Sequence, residues 1–291
     1  MTSLAHHSFV KMNGLGNEIV IFDLRGQAGA ISSEEARKAA ALPGLRYDQL
    51  IALHSARRGD CEAYLSIYNR DGSQTGACGN GMRCVAEVLF RETGKRAIVL
   101  ETLAGMIECR SAAPLQWTVD MGRPRFGWRD IPLSRQIEDS RALPLRITPG
   151  GPTALQSPSA VSMGNPHAIF WVDDVDDHDL ASIGPTVEND ALFPERANVS
   201  LAQICARDHL RVRTWERGAG LTRACGSAAC ASAVAAVRLG RADRDVRVTL
   251  PGGDLMIAWR TADEHVLMTG PVEYEYQGTF DPALLVRAST S

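Results

Sequence analysis

The chain has 291 residues, 45% of them apolar and 22% charged, with a formal net charge of −3. This is an ordinary core-forming composition, long enough for one large domain or two of average size. The charge leaves no electrostatic footprint for nucleic acid or an anionic membrane. No apolar run reaches the roughly 18 residues of a membrane span, and MTSLAHHSF lacks the basic and apolar regions of a secretory signal. The expectation is a cytoplasmic protein.

In chain order, FVKMNGLGNEIVIFDL (9–24) reads as strand, being rich in β-branched residues. SSEEARKAAALPG (32–44) has a Ser start and a Gly stop around a helical run. QLIALHSA, CEAYLSIYN, AIVLET and MIECRS read as further strands. Between them GMRCVAEVLFRETG is a helix ending at Gly94, with Cys84, Val85, Val88 and Leu89 at helical spacing. MGRPRFGWRDIPLSR (121–135), rich in Pro, Gly and Arg, reads as a domain boundary. The second part repeats the plan. AVSMGNPHAIFWV and HLRVRTWE are strands, and SAACASAVAAVRLG is an Ala-rich helix ending at Gly240. VRVTL, LMIAW and HVLMTGPVEYEYQG close the chain as strands. Many strands with about two helices per half give an α+β fold.

The repetition has a fixed offset. Residues 77–84 read ACGNGMRC and residues 224–230 read ACGSAAC, so Cys78 and Cys225 lie 147 positions apart (225 − 78). Asn69 and Glu216 share that offset, each nine residues before its cysteine, while Asn17 and Asn165 differ by 148.

There are seven cysteines, an odd number, and no signal segment, which argues against a disulfide framework. The spacings Cys78–Cys84 and Cys225–Cys230 are not those of a zinc knuckle, and no metal is expected. Cys61, Cys84, Cys109, Cys205 and Cys230 read as small buried hydrophobes. The run DDVDDHD (173–179) reads as solvated surface, and Asp71–Gly72 as a turn.

Cys78 and Cys225 are different, because each stands at the start of a helix. Unpaired N–H groups and the helix dipole there lower a thiol pKa and attract a carboxylate. Gly79, Gly81 and Gly226 allow close approach to the backbone. Two such turns facing each other would hold one carboxylate with a thiol on either side of its α-carbon, an arrangement suited to inverting that carbon. The alternative is that both are core cysteines, repeated because the halves are duplicates.

The strings KMNGLGNE, RYDQL, YNRDGSQTGACGNGMRC, SMGNPH, ANV and ERGAGLTRACGS together resemble the diaminopimelate epimerase family. The resemblance spans nearly the whole chain. It implies two pseudo-symmetric α+β lobes, each a mixed or antiparallel sheet wrapped around a central helix, with the active site in the cleft between them. The implied N-terminal lobe is 1–125 with a returning strand at about 272–291, and the C-terminal lobe is 126–271. The implied reaction is a cofactor-independent interconversion of LL- and meso-2,6-diaminopimelate, in lysine and peptidoglycan precursor synthesis. Cys78 and Cys225 would be the acid/base pair. Gly79, Asn80, Gly226 and Ser227 would bind the reacting carboxylate. Asn17, Gln49, Asn69, Asn165, Asn198, Glu216 and Arg217 would hold the substrate, and His167 and Glu216 would bias the cysteines' protonation. The expected partners are this small molecule and a second copy of the chain as a homodimer. The chain departs from the family pattern at Asn13, Glu18, Ile19, Leu221 and Ala228.

Three rival readings remain at this level. A proline racemase-like enzyme of the same fold would use the cysteine pair, but would have no use for Arg217 and Asn69. A non-catalytic binding protein built on the duplicated lobe would not need two thiols. A thiol redox sensor would use them through a disulfide.

Overall fold

Seven strand pairings occur in one order, and then occur again in the same order. The structure, a computed structural model, describes residues 4, 6–27, 30–42, 45–148 and 154–281. Its contacts divide these into two units: the described residues up to Val119 with those from Gly270 onward, and Asp120–Thr269.

The first unit carries β1 (Ser8–Gly14), β2 (Asn17–Asp23), α1 (Ser33–Ala40), β3 (Gln49–Ser55), β4 (Ala63–Asn69) and β5 (Gln74–Thr75). It continues with α2 (Gly79–Thr93), β6 (Ala97–Thr102), β7 (Gly105–Ala113) and β8 (Gln116–Asp120). β1–β2 is antiparallel, β2–β3 parallel, β3–β4 and β4–β5 antiparallel, β4–β6 parallel, and β6–β7 and β7–β8 antiparallel.

The second unit opens with the short pair β9 (Arg146–Ile147) and β10 (Leu155–Gln156). Then come β11 (Ser159–Ser162), β12 (Pro166–Trp171), α3 (Leu180–Glu188), β13 (Asn198–Ala206), β14 (His209–Glu216) and β15 (Gly220–Thr222). α4 (Gly226–Arg238), β16 (Asp245–Leu250), β17 (Gly253–Trp259) and β18 (Val266–Pro271) complete it. Its pairings from β11 to β18 repeat those of β1 to β8, sense for sense. A final strand, β19 (Glu273–Thr279), lies antiparallel to β1 in the first unit.

Each unit has a helix held inside its sheet. α2 packs on β1, β2, β6 and β7, and α4 on β11 to β14, β16 and β17. Ala228 to Ala236 of α4 are all buried, as expected of a helix apolar on every side. The sheets are covered on their other faces too. Val20, Phe22, Leu50 and Ala52 face a cluster with Ala36 and Ala39 of α1, while Ala168, Phe170, Val199 and Leu201 join Leu180, Ile183 and Val187 of α3. Strands buried on both faces read as continuous apolar runs rather than alternating ones, which explains IVIF and AIF.

Several sequence expectations are corrected. FVKMNGLGNEIVIFDL is two strands, turned at Leu15 (φ 61°) and Gly16 (φ 84°), the paired left-handed conformation of a two-residue hairpin. AVSMGNPHAIFWV likewise breaks at Gly164 (φ 89°), and HVLMTGPVEYEYQG breaks at Val272. β8, β13 and α3 are additional elements. The first helix starts as expected, with a reciprocal cap between Ser32 and Glu35, but its Gly44 stop lies outside the described residues, as do residues 282–291. Cys84, Cys109 and Cys230 are buried, whereas Cys61 is half-buried and Cys205 exposed. The acidic run is partly structural: Asp179 caps α3, and Asp174 and Asp176 pair with Arg211. Among the described residues no helix is long and apolar enough to cross a membrane.

Candidate active site

In each unit the same strand ends carry the polar residues singled out from the sequence. Asn17 opens β2, Gln49 opens β3, and Asn69 ends β4. The register sets Gln49 opposite Asn69 and beside Ile19. In the second unit Asn165 precedes β12, Asn198 opens β13 next to His167, and Glu216 ends β14. Duplicated pairing thus places Asn17 with Asn165, Gln49 with Asn198, and Asn69 with Glu216 as counterparts.

Both cysteines occupy the N-cap itself, with extended backbone (φ −146° for Cys78, −114° for Cys225). Gly79–Asn80 and Gly226–Ser227 form the first helical residues after them, where amides have no carbonyl four residues back. Cys78 Sγ accepts from Gly81 N at 3.3 Å. A Cβ on Gly81 would lie 2.6 Å from Ile51 Cδ1, so a larger residue there would push the end of the Ile51 side chain on β3 away from the start of α2. Arg83, fully buried one turn on, donates to Asn80 Oδ1 at 2.9 Å.

Around Cys225 the hydrogen bonds form a directed chain. His167 is fully buried, and burial, with Arg217 adding to it, holds its pKa down to about 3. A neutral ring has one N–H, and Nε2 donates it to Asn165 Oδ1 at 2.9 Å. Asn165 Nδ2 donates to Ser227 Oγ at 3.4 Å, and the Ser227 hydroxyl lies 3.5 Å from Cys225 Sγ, where it can donate to the sulfur as thiolate and accept from it as thiol. His167 Nδ1 is left as a buried acceptor without a partner.

The helix start does not by itself make Cys225 acidic, contrary to the sequence expectation. Burial, and after it the Glu216 carboxylate, push this thiol well above its ordinary value, while the Ser227 hydroxyl acts in the opposite sense. Cys225 therefore holds its proton at neutral pH. Glu216 accepts from Thr222 Oγ1 at 2.5 Å. Burial also raises the core thiol of Cys84 to about 12 and that of Cys109 further.

Arg217 donates its backbone N–H to Asn198 Oδ1 (3.0 Å) and Nη1 to Glu195 O (2.9 Å). Asn198 also donates to Pro166 O at 3.1 Å, so its amide braces the protein on both sides. Glu188, buried at the end of α3, accepts from Trp215 Nε1, Gly218 N and Arg196 Nη1 and so anchors the turn carrying Arg217. Glu188, Glu195, Thr222, Asp48 and Ser73 were not singled out from the sequence. Asp48, Ser73 and Thr222 lie inside the strings RYDQL, NRDGS and ERGAGLT, which was their only signal, and Glu188 and Glu195 had none.

Asn17 Oδ1 and Gln49 Oε1 are also buried acceptors without a donor. A buried unpaired acceptor costs about 1–3 kcal/mol. Two at neighbouring strand starts suit a ligand rich in N–H donors.

Comparison with known proteins identifies the family of the chain. A family model described as diaminopimelate epimerase matches residues 9–127 and 159–275. A diaminopimelate epimerase of Nitrobacter hamburgensis is 59% identical over 285 residues, covering 98% of each chain. One from Rhodopseudomonas palustris (strain BisB5) is 57% identical, covering 99% of this chain and 98% of that one. Among solved structures, a hydroxyproline epimerase from Agrobacterium vitis superposes with a TM-score of 0.68 at 14% identity, covering 98% of this chain and 96% of that one. A phenazine biosynthesis protein of the PhzF family from Bacillus anthracis gives 0.65 at 15%, with 94% and 98% covered. At such identities these two speak for the fold alone. With the family model matched in both halves and relatives above half identity over nearly all of their length, the chain belongs to the diaminopimelate epimerase family, a family of isomerases.

Proposed function

We propose that the protein interconverts LL- and meso-2,6-diaminopimelate by two-base chemistry at Cys78 and Cys225, without a cofactor, as a cytoplasmic homodimer. The observation that carries this reading is the pair of cysteines at the N-caps of counterpart helices in two units of identical strand plan. The reading requires the two sulfurs to reach opposite faces of one α-carbon.

One cysteine, as thiolate, takes the α-proton: an S–H bond forms, the C–H bond breaks, and its electron pair passes into the substrate carboxylate. The other cysteine, as thiol, delivers its proton to the opposite face. The thiol and thiolate roles are then exchanged. An amino-acid α-proton is far less acidic than a thiol, so the developing negative charge needs preorganised donors. The amides of Gly79, Asn80, Gly226 and Ser227 are the donors proposed for it. The raised pKa of Cys225 suits the proton-donating partner at rest. Arg217 is proposed to take the distant carboxylate by its guanidinium fork, with Asn17, Gln49, Asn69, Asn165, Asn198 and Glu216 lining the substrate. His167 acts through Asn165 and Ser227 on Cys225.

The test uses fresh, reduced protein in heavy water with LL-diaminopimelate and, separately, L-proline. The expected result is meso-diaminopimelate carrying one deuterium, with proline untouched. Deuterated D-proline would keep the thiol pair and change the substrate, and no exchange in either would sink the enzyme reading. Light scattering of the same sample checks the dimer.

A further inference from the structure

We propose that Asp48 and Asp71 are positioning residues that fix the amide polarity of Asn17 and Gln49, so that both present oxygen, and not NH2, to a ligand ammonium group. The proposal rests on the reading of the substrate as a diamino dicarboxylic acid.

The first chain starts at the surface. Asp71 Oδ1 accepts from the Ser73 backbone N–H at 2.9 Å and from the Ser73 hydroxyl at 2.6 Å. These bonds hold its carboxyl below the usual range, so at neutral pH it is an acceptor only. Ser73 has then used its one hydroxyl proton, and its oxygen accepts from Asn69 Nδ2 at 3.1 Å. Asn69 is thereby oriented with Oδ1 toward Gln49, whose Nε2 donates to it at 3.4 Å. Gln49 Oε1 is what remains at the inner end, buried and without a donor.

The second chain is shorter. Asp48 Oδ2 accepts from the Glu18 backbone N–H at 2.9 Å and from Asn17 Nδ2 at 3.4 Å. The Asp48 backbone is clamped between strands, donating to Glu18 O and accepting from Arg70 N. Asn17 Oδ1 is again left buried and without a donor. Turning either amide over would set oxygen against oxygen, so each chain has one workable direction. Asn17 and Gln49 open the adjacent parallel strands β2 and β3. Both chains begin at an exposed carboxylate and end at an acceptor that lacks a proton. An ammonium has three N–H donors and no acceptor, and is the group these two oxygens suit. A carboxylate is excluded by the same polarity.

The test measures kinetics and binding on the full chain with Asp48→Ala, Asp71→Ala and Ser73→Ala, beside Asp48→Asn and Asp71→Asn, which keep one acceptor oxygen. Two ligands are compared: LL-diaminopimelate, and pimelate, the same dicarboxylate without amines. The alanine variants are expected to raise KM for diaminopimelate about tenfold, the worth of a charge-assisted hydrogen bond, with kcat changed less. They are expected to leave pimelate binding within about twofold, and the asparagine variants are expected to restore KM. Equal losses for both ligands, or no loss for diaminopimelate, would overturn the proposal. A wild-type protein that neither binds nor converts diaminopimelate would instead overturn the proposed function, and the ammonium assignment with it. The polarity is then decided in the unliganded protein by proton exchange at the Gln49 side-chain amide, read by 15N NMR. Slow exchange in the wild type that quickens in Asp71→Ala and Ser73→Ala supports it, and equal rates overturn it.

Discussion

His167 Nε2 donates to Asn165 Oδ1 across 2.9 Å, and that bond decides what Cys225 receives two residues later in the chain of contacts. With Asn165 turned this way its NH2 faces Ser227, and the Ser227 hydroxyl proton is free to be donated to the sulfur when it ionises. Ser227→Ala removes the donor. The Cys225 thiol, already raised by burial and Glu216, is expected to rise further. A hydrogen bond to a charged group contributes about 1.5–3 kcal/mol, so the thiolate fraction should fall about ten- to hundredfold. Alkylation of Cys225 by iodoacetamide at mildly alkaline pH, followed by peptide mass spectrometry, measures this directly.

His167 also links stability to pH. Its folded pKa is about 3 against an ordinary 6.5. Below about pH 6.5 the unfolded chain takes up a proton that the folded chain refuses. This stabilisation is present above 6.5 and is lost as pH falls toward 3, with a slope of up to about 1.4 kcal/mol per pH unit. Urea unfolding from pH 7.5 to 5 should show the loss, and His167→Asn should show a shallower pH dependence.

Two glycines test how tightly α2 and α3 are seated on their sheets. A Cβ at Gly81 meets the flexible end of Ile51, so Gly81→Ala is expected to cost about 1–3 kcal/mol. Adding Ile51→Val, which deletes the clashing methyl, should recover most of it. A Cβ at Gly184 in α3 would stand 2.3 Å from Trp215 Cγ. That ring is tied by its Nε1 to Glu188 at 2.6 Å and has no easy retreat. Gly184→Ala should therefore lose more stability than Gly81→Ala in the same urea titration.

Arg217→Met keeps an unbranched stem and removes the charged fork. If Arg217 takes the distant carboxylate, KM for diaminopimelate should rise at least about tenfold. An unchanged KM would remove Arg217 from that role.

The duplication was legible because both cysteine turns kept their residues. A helix start needs few particular residues, and Ala-Cys-Gly marks both. α3 was hidden by its own sequence: LASIGPTVE holds Gly184 and Pro185, both helix breakers, and its cap Asp179 sits in an acidic run that resembles solvated surface. β13 was missed because a strand buried on both faces beside a parallel neighbour does not alternate. The polar chains behind Asn17, Gln49 and Cys225 were not legible at all. Their direction depends on which atom of each amide faces which partner, and only the strand register decides that.

The two units share a plan, but Asn69 ends β4 where Glu216 ends β14. Perfectly matched halves would give two interchangeable thiols and no reason for a proton to prefer either. The deeper burial of Cys225, with the acidic side chain at the end of β14 adding to it, breaks that tie. Under the proposed chemistry, the resting protein is already cocked in one direction.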